Sequence, residues 1–456
     1  MDIKLQNTLG NKNEIFKSLK SDEVSMYHCG PTVYHFVHIG NLRHYLLADI
    51  LRRTFEYFGL SVKQVINITD VGHLVGDGDE GEDKVEKTAK ATGKTAAEIA
   101  EFYENAFHKD LRDFNIRTED TVFPKASEHI KEQIEIIKIL EEKDFTYQTS
   151  DGIYFDTSKF KDYGKLGNIN LEGLKGGVRV EIGEKKNPTD FALWKFSGDK
   201  KRLQEWESPW GIGFPGWHIE CSAMSRKYLG QPFDIHTSGI DHIPTHHNNE
   251  IAQSEAAFSV PLANYWLHNE FLSVDGQKMS KSLGNTYTLS DLKKKGIHPL
   301  SFRYFLLTSN YRTPTNFTWE AIEGAQNALE KIASEFNVLE GALHGHLLEE
   351  FEEAMANDLD TPVALSLLQK ATDQETIEKM NKVLGLNILE LSKQINQIPE
   401  EIMDLVKQRE TAREKEDWKT SDDLRDKIES KGFRIMDNEF GSVVQNTLAN
   451  IAKSLA

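Results

Sequence analysis

The pattern of apolar positions changes period twice within the first seventy residues. Val24 to Tyr27 is a short apolar run that reads as a strand. It breaks at Gly30-Pro31, which cannot continue a strand ladder. From Leu42 the period becomes helical, with Leu42, Tyr45, Leu46, Asp49, Ile50 and Arg53 on one repeat, and Gly59 supplies a C-terminal stop. Ser61 to Asp70 reads as a second strand. Strand, helix and strand in that order predict a βαβ unit and a parallel sheet, whose ligands lie at the carboxyl ends of the strands. That rule puts Thr69 and Asp70 beside the Cys29 loop.

Further along, residues 84–114 read as helical, and the pattern changes near residue 115. A helix over 129–143, short strands within 147–155 and a Gly/Lys-rich section to about residue 186 read as an insertion between two halves of one sheet. Phe191 to Lys195 is expected to return the chain to that sheet. Ser208 to Trp217 carries too much Gly and Pro for regular structure. His218 to Leu229 then reads as a helix and Phe233 to His236 as a strand, ending in the loop Thr237 to Asp241. From Ser290 onward helical patterns dominate. A single charged helix, Arg409 to Lys427, leads into a strand over Gly432 to Ile435.

Composition narrows the class. At 456 residues the chain predicts two to four domains. No run approaches the ~18 apolar residues of a membrane span, and the N-terminal residues lack a signal-peptide core. The expectation is a cytoplasmic protein without membrane contact. A net charge of −18 weighs against a generally basic surface, although it says little about a local basic face. Cys29 and Cys221 are the two cysteines of the chain, and no disulfide is expected in a reducing compartment.

Three constellations carry chemistry. His38-Ile39-Gly40-Asn41 opens the first helix, where free N–H groups and the helix dipole suit a phosphate. Between Gly276 and Gly284, Lys278 and Lys281 can bring two ammonium groups onto a polyphosphate. His246 and Glu250 are four apart, so a helix puts them on one face, a spacing that can grip a metal. Cys29 and Cys221 complete a candidate four-ligand set, though spacing alone does not bring the four together. The acidic stretch Gly76 to Asp83 fails as a calcium loop, because Glu82 and Thr88 stand where glycine and glutamate are required. It reads as a flexible loop or a magnesium-attracting rim.

His38-Ile-Gly-Asn41 and Lys278-Met-Ser-Lys-Ser282, in this order, resemble the signature pair of the class I aminoacyl-tRNA synthetases, His-Ile-Gly-His and Lys-Met-Ser-Lys-Ser. Cys29-Gly-Pro-Thr-Val-Tyr34, Gly216-Trp-His-Ile-Glu-Cys-Ser-Ala-Met224 and His246-His-Asn-Asn-Glu-Ile-Ala-Gln-Ser254 are similar to cysteinyl-tRNA synthetases in particular. So are Tyr265-Trp-Leu-His-Asn269, Tyr311-Arg-Thr-Pro-Thr-Asn-Phe317 and Trp418-Lys-Thr-Ser-Asp-Asp-Leu-Arg425, so the resemblance spans essentially the whole chain.

The resemblance implies an α/β fold: a Rossmann-like parallel-sheet nucleotide-binding domain split by an insertion, then an α-helical domain and a small mixed α/β anticodon-binding part. The implied boundaries are 1–114 and 191–260 for the two catalytic halves, the second with the zinc ligands, and 115–190 for the connective insertion. Residues 261–318 would form the region of the lysine loop and stem contact, 319–400 a helical bundle and 401–456 the anticodon-binding part. It implies one zinc ion on Cys29, Cys221, His246 and Glu250, ligated in turn by the substrate cysteine. His38, Asn41, Lys278 and Lys281 would be catalytic, stabilising the α-phosphate and departing pyrophosphate of magnesium-bound ATP. His38, Gly40, Asn41, Gly239, Asp241 and Lys281 would contact ATP. Cys29, Gly30, Thr69, Trp217, His218 and His236 would surround the amino acid, with His247 also lining the pocket.

The implied reaction joins L-cysteine to AMP and then to the terminal ribose of cysteine-specific transfer RNA, on a monomeric enzyme. Zinc prefers thiolate to hydroxyl, which would separate cysteine from its near-isostere serine where shape alone discriminates poorly. Two alternatives share many of these motifs: a cysteine ligase with a small amino-sugar acceptor, and a non-catalytic zinc-containing paralogue. The chain also departs from the family pattern. Thr237-Ser238-Gly239 replace three glycines, Phe214 replaces an arginine, and Val71-Gly-His-Leu74 replaces a second acidic pair. Asn438 and Val444 stand where threonine and tryptophan are usual.

Overall fold

A computed structural model of the chain describes residues 2–71, 88–89, 93–169, 184–198, 202–280, 283–339, 341, 343–438 and 441–456. The acidic stretch 76–83, and Lys281 and Ser282, lie outside the described residues. The chain divides into two compact units. One comprises Met1–Val37, Phe55–Leu111 and Arg117–Glu270; the other comprises His38–Thr54, Arg112–Ile116 and Phe271–Ala456.

The first unit is built on a four-stranded parallel sheet. In chain order its strands are β1 (Glu23–His28), β2 (Ser61–Ile66), β3 (Phe233–Gly239) and β4 (Ala263–Asn269). Their order in space is β4-β3-β1-β2. Tyr27 pairs with Val65 on one side and His236 on the other. Val24, Met26, Tyr27, Val65, Ile66, Phe233 and Ile235 are all buried, as expected where both faces of a parallel sheet are covered. The helix Ile39–Tyr57 connects β1 to β2, so the predicted βαβ order is present.

Between β2 and β3 in the chain this unit has a separate four-stranded antiparallel sheet, in the order Thr146–Gln148, Gly152–Phe155, Phe191–Phe196 and Gly213–Pro215. Two expectations are corrected here. Phe191–Phe196 does not rejoin the parallel sheet, which resumes at Phe233, and the Gly/Pro-rich stretch does contribute a strand. A buried apolar run reads alike for either sheet, and the pairing that decides between them is non-local. Helix Ile130–Glu142 joins the same core through Ile136, Ile137 and Leu140, against Phe155, Phe191, Leu193 and Trp194. Ile219, Ala223, Ala252 and Ala256 enter that core from the helices Trp217–Leu229 and Asn248–Phe258. These two helices carry the metal-ligand candidates.

The second unit is mainly helical. Leu272–Val274 pairs in parallel with Thr315–Phe317 and antiparallel with Gln277–Lys278. Within this unit Asp49 accepts from Arg53 Nε at 2.7 Å and also from Arg303, all three being buried. Arg303 donates further to the carbonyls of Leu384 and Phe114. Two of the polar members of the first helix's repeat, Asp49 and Arg53, are thus parts of a buried ion network. The charged C-terminal segment is two helices, Glu400–Glu414 and Trp418–Ser430, rather than one. The break falls where Asp417 accepts from the Thr420 N–H as an N-cap. A hairpin of Phe433–Asn438 and Gly441–Asn446 follows. Among the described residues no helix is long and apolar enough to cross a membrane.

Candidate metal centre and nucleotide motifs

The carboxyl edge of the parallel sheet collects the polar chemistry of the first unit. Cys29 follows β1 directly, His236 lies within β3, and His268 lies near the end of β4. The Cys29 loop is pinned against the chain leaving β2. The Gly30 N–H donates to Asn67 Oδ1 at 2.8 Å, and Thr69 N–H donates to the Pro31 carbonyl at 3.0 Å. A Cβ on residue 30 would come within 1.4 Å of the Asn67 carbonyl oxygen, so only glycine fits here. Thr69 Oγ1 in turn donates to Glu220 Oε2 at 3.0 Å.

One ligand atom from each of Cys29, Cys221, His246 and Glu250 lies within 4.8 Å of every other, and all four residues are buried. Cys221 comes from the helix Trp217–Leu229, which Gly216 caps. His246 lies in a π-helical turn, Ile243–His247, that runs into the helix Asn248–Phe258 carrying Glu250. Local π-turns of this kind frequently accompany functional sites. His246 Nε2 and Glu250 Oε1 form a buried ion pair at 2.9 Å, and neither atom makes a hydrogen bond among the described residues. An imidazole nitrogen and a carboxylate oxygen that make no hydrogen bond, beside two sulfurs, fit a metal ion.

The remaining histidines surround this set. Glu250 Oε2 is 2.9 Å from His236 Nε2. Cys29 Sγ is 3.3 Å from His247 Nε2, and His218 Nδ1 is 3.0 Å from His246 Nδ1. The Trp217 ring is half-buried, its centroid 4.4 Å from that of His246. Burial opposes ionisation of Glu250, yet the imidazoles of His236 and His246 hold its carboxyl down at about 2. Burial likewise opposes a charged His246, but Glu250 and Cys29 raise it to about 10. Cys29 is also drawn well below the usual thiol range against its burial, by Cys221 and the nearby histidines, while burial and Cys29 push Cys221 up. The cluster is therefore electrostatically organised to hold negative sulfur and oxygen away from water.

Gly239 and Asp241 lie where β3 ends, with Asp241 exposed and its carboxylate close against Gly239. The Thr237 and Ser238 hydroxyls that replace family glycines are each tied to a histidine: Thr237 Oγ1 to His28 Nδ1 at 2.6 Å and Ser238 Oγ to His242 Nδ1 at 2.7 Å. Phe214 lies under the guanidinium of Arg202, 4.0 Å from its ring centroid. His242, His268 and Glu220 belong to this neighbourhood, although sequence reasoning does not single them out as site residues. The available signal is a polar residue at a position buried on both sides, as in Leu267-His268-Asn269.

The phosphate motifs lie in the second unit. His38 N–H donates to Asn41 Oδ1 at 3.1 Å, and Asn41 N–H donates to His38 Nδ1 at 3.2 Å, a reciprocal cap at the start of the helix Ile39–Tyr57. A Cβ on Gly40 would meet Met279 Cε at 2.3 Å, so the lysine loop touches the helix start through the methionine between its lysines. Asn285 closes that loop, accepting from Ser280 N–H at 2.8 Å and donating to the Lys278 carbonyl at 3.3 Å. Lys278 is exposed, with Nζ 5.5 Å from the Phe271 ring centroid.

Comparison with known proteins identifies the family. Residues 15–327 match the family described as tRNA synthetases class I (C) catalytic domain, and residues 396–441 match the cysteinyl-tRNA ligase anticodon binding domain. Cysteine–tRNA ligase 1 of Burkholderia lata is 44% identical, covering 97% of this chain and 96% of its own. The cysteine–tRNA ligase of Treponema denticola is 43% identical, covering 98% and 100%. Among solved structures, Mycobacterium tuberculosis methionyl-tRNA synthetase in complex with methionyl-adenylate matches at a TM-score of 0.54 and 15% identity, covering 81% of this chain and 90% of that one. That last likeness speaks for the fold alone.

Proposed function

The chain belongs to the cysteinyl-tRNA synthetases of class I, and from that premise we propose that it is an ATP-dependent ligase charging cysteine-specific transfer RNA with L-cysteine. The observation that carries the substrate assignment is the buried set Cys29, Cys221, His246 and Glu250, with one ligand atom from each within 4.8 Å of every other. These four residues would hold zinc. Bound there, the ion would supply an affinity for thiolate that hydroxyl lacks. Glu250 is the donor best placed to yield a position, because His236 can keep its second oxygen. Thr69, Trp217, His218, His236 and His247 would wall the amino acid, excluding water and leaving its carboxylate free.

No protein nucleophile is needed. The substrate carboxylate attacks the α-phosphorus of magnesium-bound ATP and pyrophosphate leaves. His38 and Asn41, fixed by their reciprocal cap, would donate to the phosphate oxygens beside the N–H groups of the helix start. Lys278 and Lys281 would neutralise the charge that develops on the departing pyrophosphate, and Gly239 and Asp241 would contact the adenosine. Catalysis is then orientation plus charge stabilisation. We read 1–114 and 191–260 as the catalytic halves, 115–190 as a connective insertion whose antiparallel sheet is completed by Phe191–Phe196 and Gly213–Pro215 from the start of the second half, and 261–318 as the lysine-loop and stem-contact region. Residues 319–400 would be a helical bundle and 401–456 the part that reads the anticodon. The setting is the cytoplasm and the working form a monomer.

The test is pyrophosphate exchange with cysteine and with serine, followed by transfer RNA charging, with metal content measured on the same preparation. Cysteine-dependent exchange and charging by protein carrying about one zinc per chain is expected. Full, selective exchange by metal-free protein would remove zinc from the reading. Exchange without charging would point to a small acceptor instead.

A further inference from the structure

Between Cys29 and His38 the chain carries three consecutive ring side chains, Tyr34, His35 and Phe36. The residues just before them are pinned to the chain leaving β2. Val33 N–H donates to the Thr69 carbonyl at 3.1 Å, and Thr32 and Thr69 form a parallel β-bridge. The helix Ala96–Asp113 brings Phe102 and Tyr103 against this loop. The Phe36 ring centroid lies 5.8 Å from that of Phe102 and 5.1 Å from that of Tyr103, both edge to face. Phe102 and Tyr103 are themselves 5.1 Å apart, and the His35 ring lies parallel to Tyr103 at 6.2 Å. All of these rings belong to the first unit.

The inner members of the group are covered. Tyr34 and Tyr103 are half-buried against Ala89, Ala96 and Ile99. The outer members are open: Phe36 is 42% exposed, Phe102 is 48% exposed, and His35 is exposed as well. A single exposed apolar residue is ordinary, but contiguous open rings mark a contact surface. Lys94 Nζ lies 5.2 Å from the Phe102 centroid, and Glu101 adjoins Phe102 in the chain, so the rings are flanked by charges of both signs. A paired RNA backbone is held by a basic field. An unpaired base is held by stacking on a ring, because every base has a π-face. This patch offers the second kind of contact.

We propose that Phe36 and Phe102, backed by Tyr103 and His35, form a stacking platform for the unpaired bases at the 3′ end of transfer RNA. The proposal rests on the reading of the chain as a transfer RNA ligase. That reading brings the terminal ribose to an amino acid walled in part by Thr69 and held at Cys29. The platform stands on the loop that begins at Cys29 and is fastened to Thr69, so it continues the same site outward. A single-stranded end is mobile, and its hydroxyl has to be oriented before it can react. Stacking the preceding bases supplies that orientation without reading their sequence. Phe36 and Phe102 are therefore positioning residues for the transfer step and take no part in forming the adenylate.

Pyrophosphate exchange needs no RNA, so comparing it with transfer isolates the platform. Wild type, Phe102→Ala, Phe102→Tyr and the Phe36→Ala/Phe102→Ala double variant are compared, with circular dichroism as a folding check. Phe102→Ala should exchange within about twofold of wild type, while single-turnover transfer of cysteine to RNA falls roughly 5–100-fold, the scale of one stacked base. Phe102→Tyr keeps a ring and should transfer like wild type. Wild type should also bind an acceptor-helix hairpin with its unpaired 3′ end more tightly than the same hairpin trimmed to its last base pair. The double variant should bind the two hairpins alike. Normal transfer by the folded double variant, or its retained preference for the untrimmed hairpin, would overturn the platform. So would loss of exchange together with transfer in Phe102→Ala, which would make the ring a support of the Cys29 loop. Sedimentation showing a dimeric wild type and a monomeric double variant would overturn it as well, because a second copy would then occupy the patch. Wild type that exchanges but charges no RNA would overturn the ligase reading itself, and the platform with it.

Discussion

His246 and His298 are both buried, at 1% and 5% exposure, yet they titrate in opposite directions. Burial disfavours a charged ring at both. At His246 the Glu250 carboxylate and the Cys29 sulfur outweigh burial and raise the ring to about 10. At His298 burial prevails, with Asp113 pulling up and Lys293 pushing down, and the ring is lowered to about 4. His298 plays an ordinary structural role, in which its Nδ1 accepts from Leu300 N–H at 3.2 Å to cap the helix Pro299–Leu307. The difference is instructive because a lone buried histidine is more often structural than functional. Burial alone yields a neutral hydrogen-bonding ring, whereas burial among anions yields a site whose charge awaits a cation.

The strongest way to break the contrast is Cys29→Ser. It removes the sulfur from the anionic cluster while preserving shape. Metal should be lost and cysteine-dependent pyrophosphate exchange should fall on the order of 10³-fold, about 4 kcal/mol of transition-state stabilisation. A variant that exchanges at wild-type rates would show that Cys29 is merely a buried small hydrophobe. Next in size is Glu250→Gln, which leaves His236 and His246 without their carboxylate. Metal-free protein should lose about 3 kcal/mol of stability, read from urea midpoints, as for a broken buried ion pair. A midpoint unchanged from wild type would show that the carboxylate contributes no net organisation to the cluster.

The sequence exposes one side of this contrast better than the other. Local rules are enough for β1, the helix after it and β2, since period and Gly stops are contained in short windows. His246 and Glu250 are legible as a pair because four-residue spacing survives the π-turn that precedes their helix. That Cys29 and Cys221 meet them is a product of sheet order, which no window contains; the family resemblance supplies it. His268 is not legible as a site residue because its partner His247 is 21 residues away in sequence. The strand Phe191–Phe196 reads as part of the wrong sheet for the same reason. Asp417 is the opposite case, a local signal that a single-helix reading passes over: an acidic cap before Trp418, splitting one expected helix into two.

The structural side can be sharpened with pH. The folded protein holds His298 at about 4, whereas the unfolded chain has it near the ordinary value of 6.5. Between these limits the unfolded state binds a proton that the folded state refuses. Stability is therefore fully present above about pH 6.5 and is lost as pH falls, at about 1.4 kcal/mol per pH unit, until about pH 4. The total is about 3 kcal/mol. His298→Gln retains a side-chain acceptor but cannot titrate, so the difference in urea midpoint between wild type and variant should shrink with falling pH across that window. A constant difference would mean that His298 is not held neutral by burial.

His38 is half-buried and accepts from the Asn41 N–H at the start of its helix. Asn41→Ala removes the Oδ1 that fixes the His38 N–H and one proposed donor to phosphate. The helix should lose about 1 kcal/mol of capping stability. Exchange should fall by roughly tenfold, the scale of a single charge-assisted hydrogen bond. Asn41→Ser separates the two contributions. Serine restores a capping oxygen at the helix start but is too short to reach outward as asparagine does. Stability should therefore recover while exchange remains depressed. Recovery of both would mean that Asn41 acts through the helix cap alone, as His298 acts in its own helix, and that phosphate contact at this end belongs to His38 and the backbone.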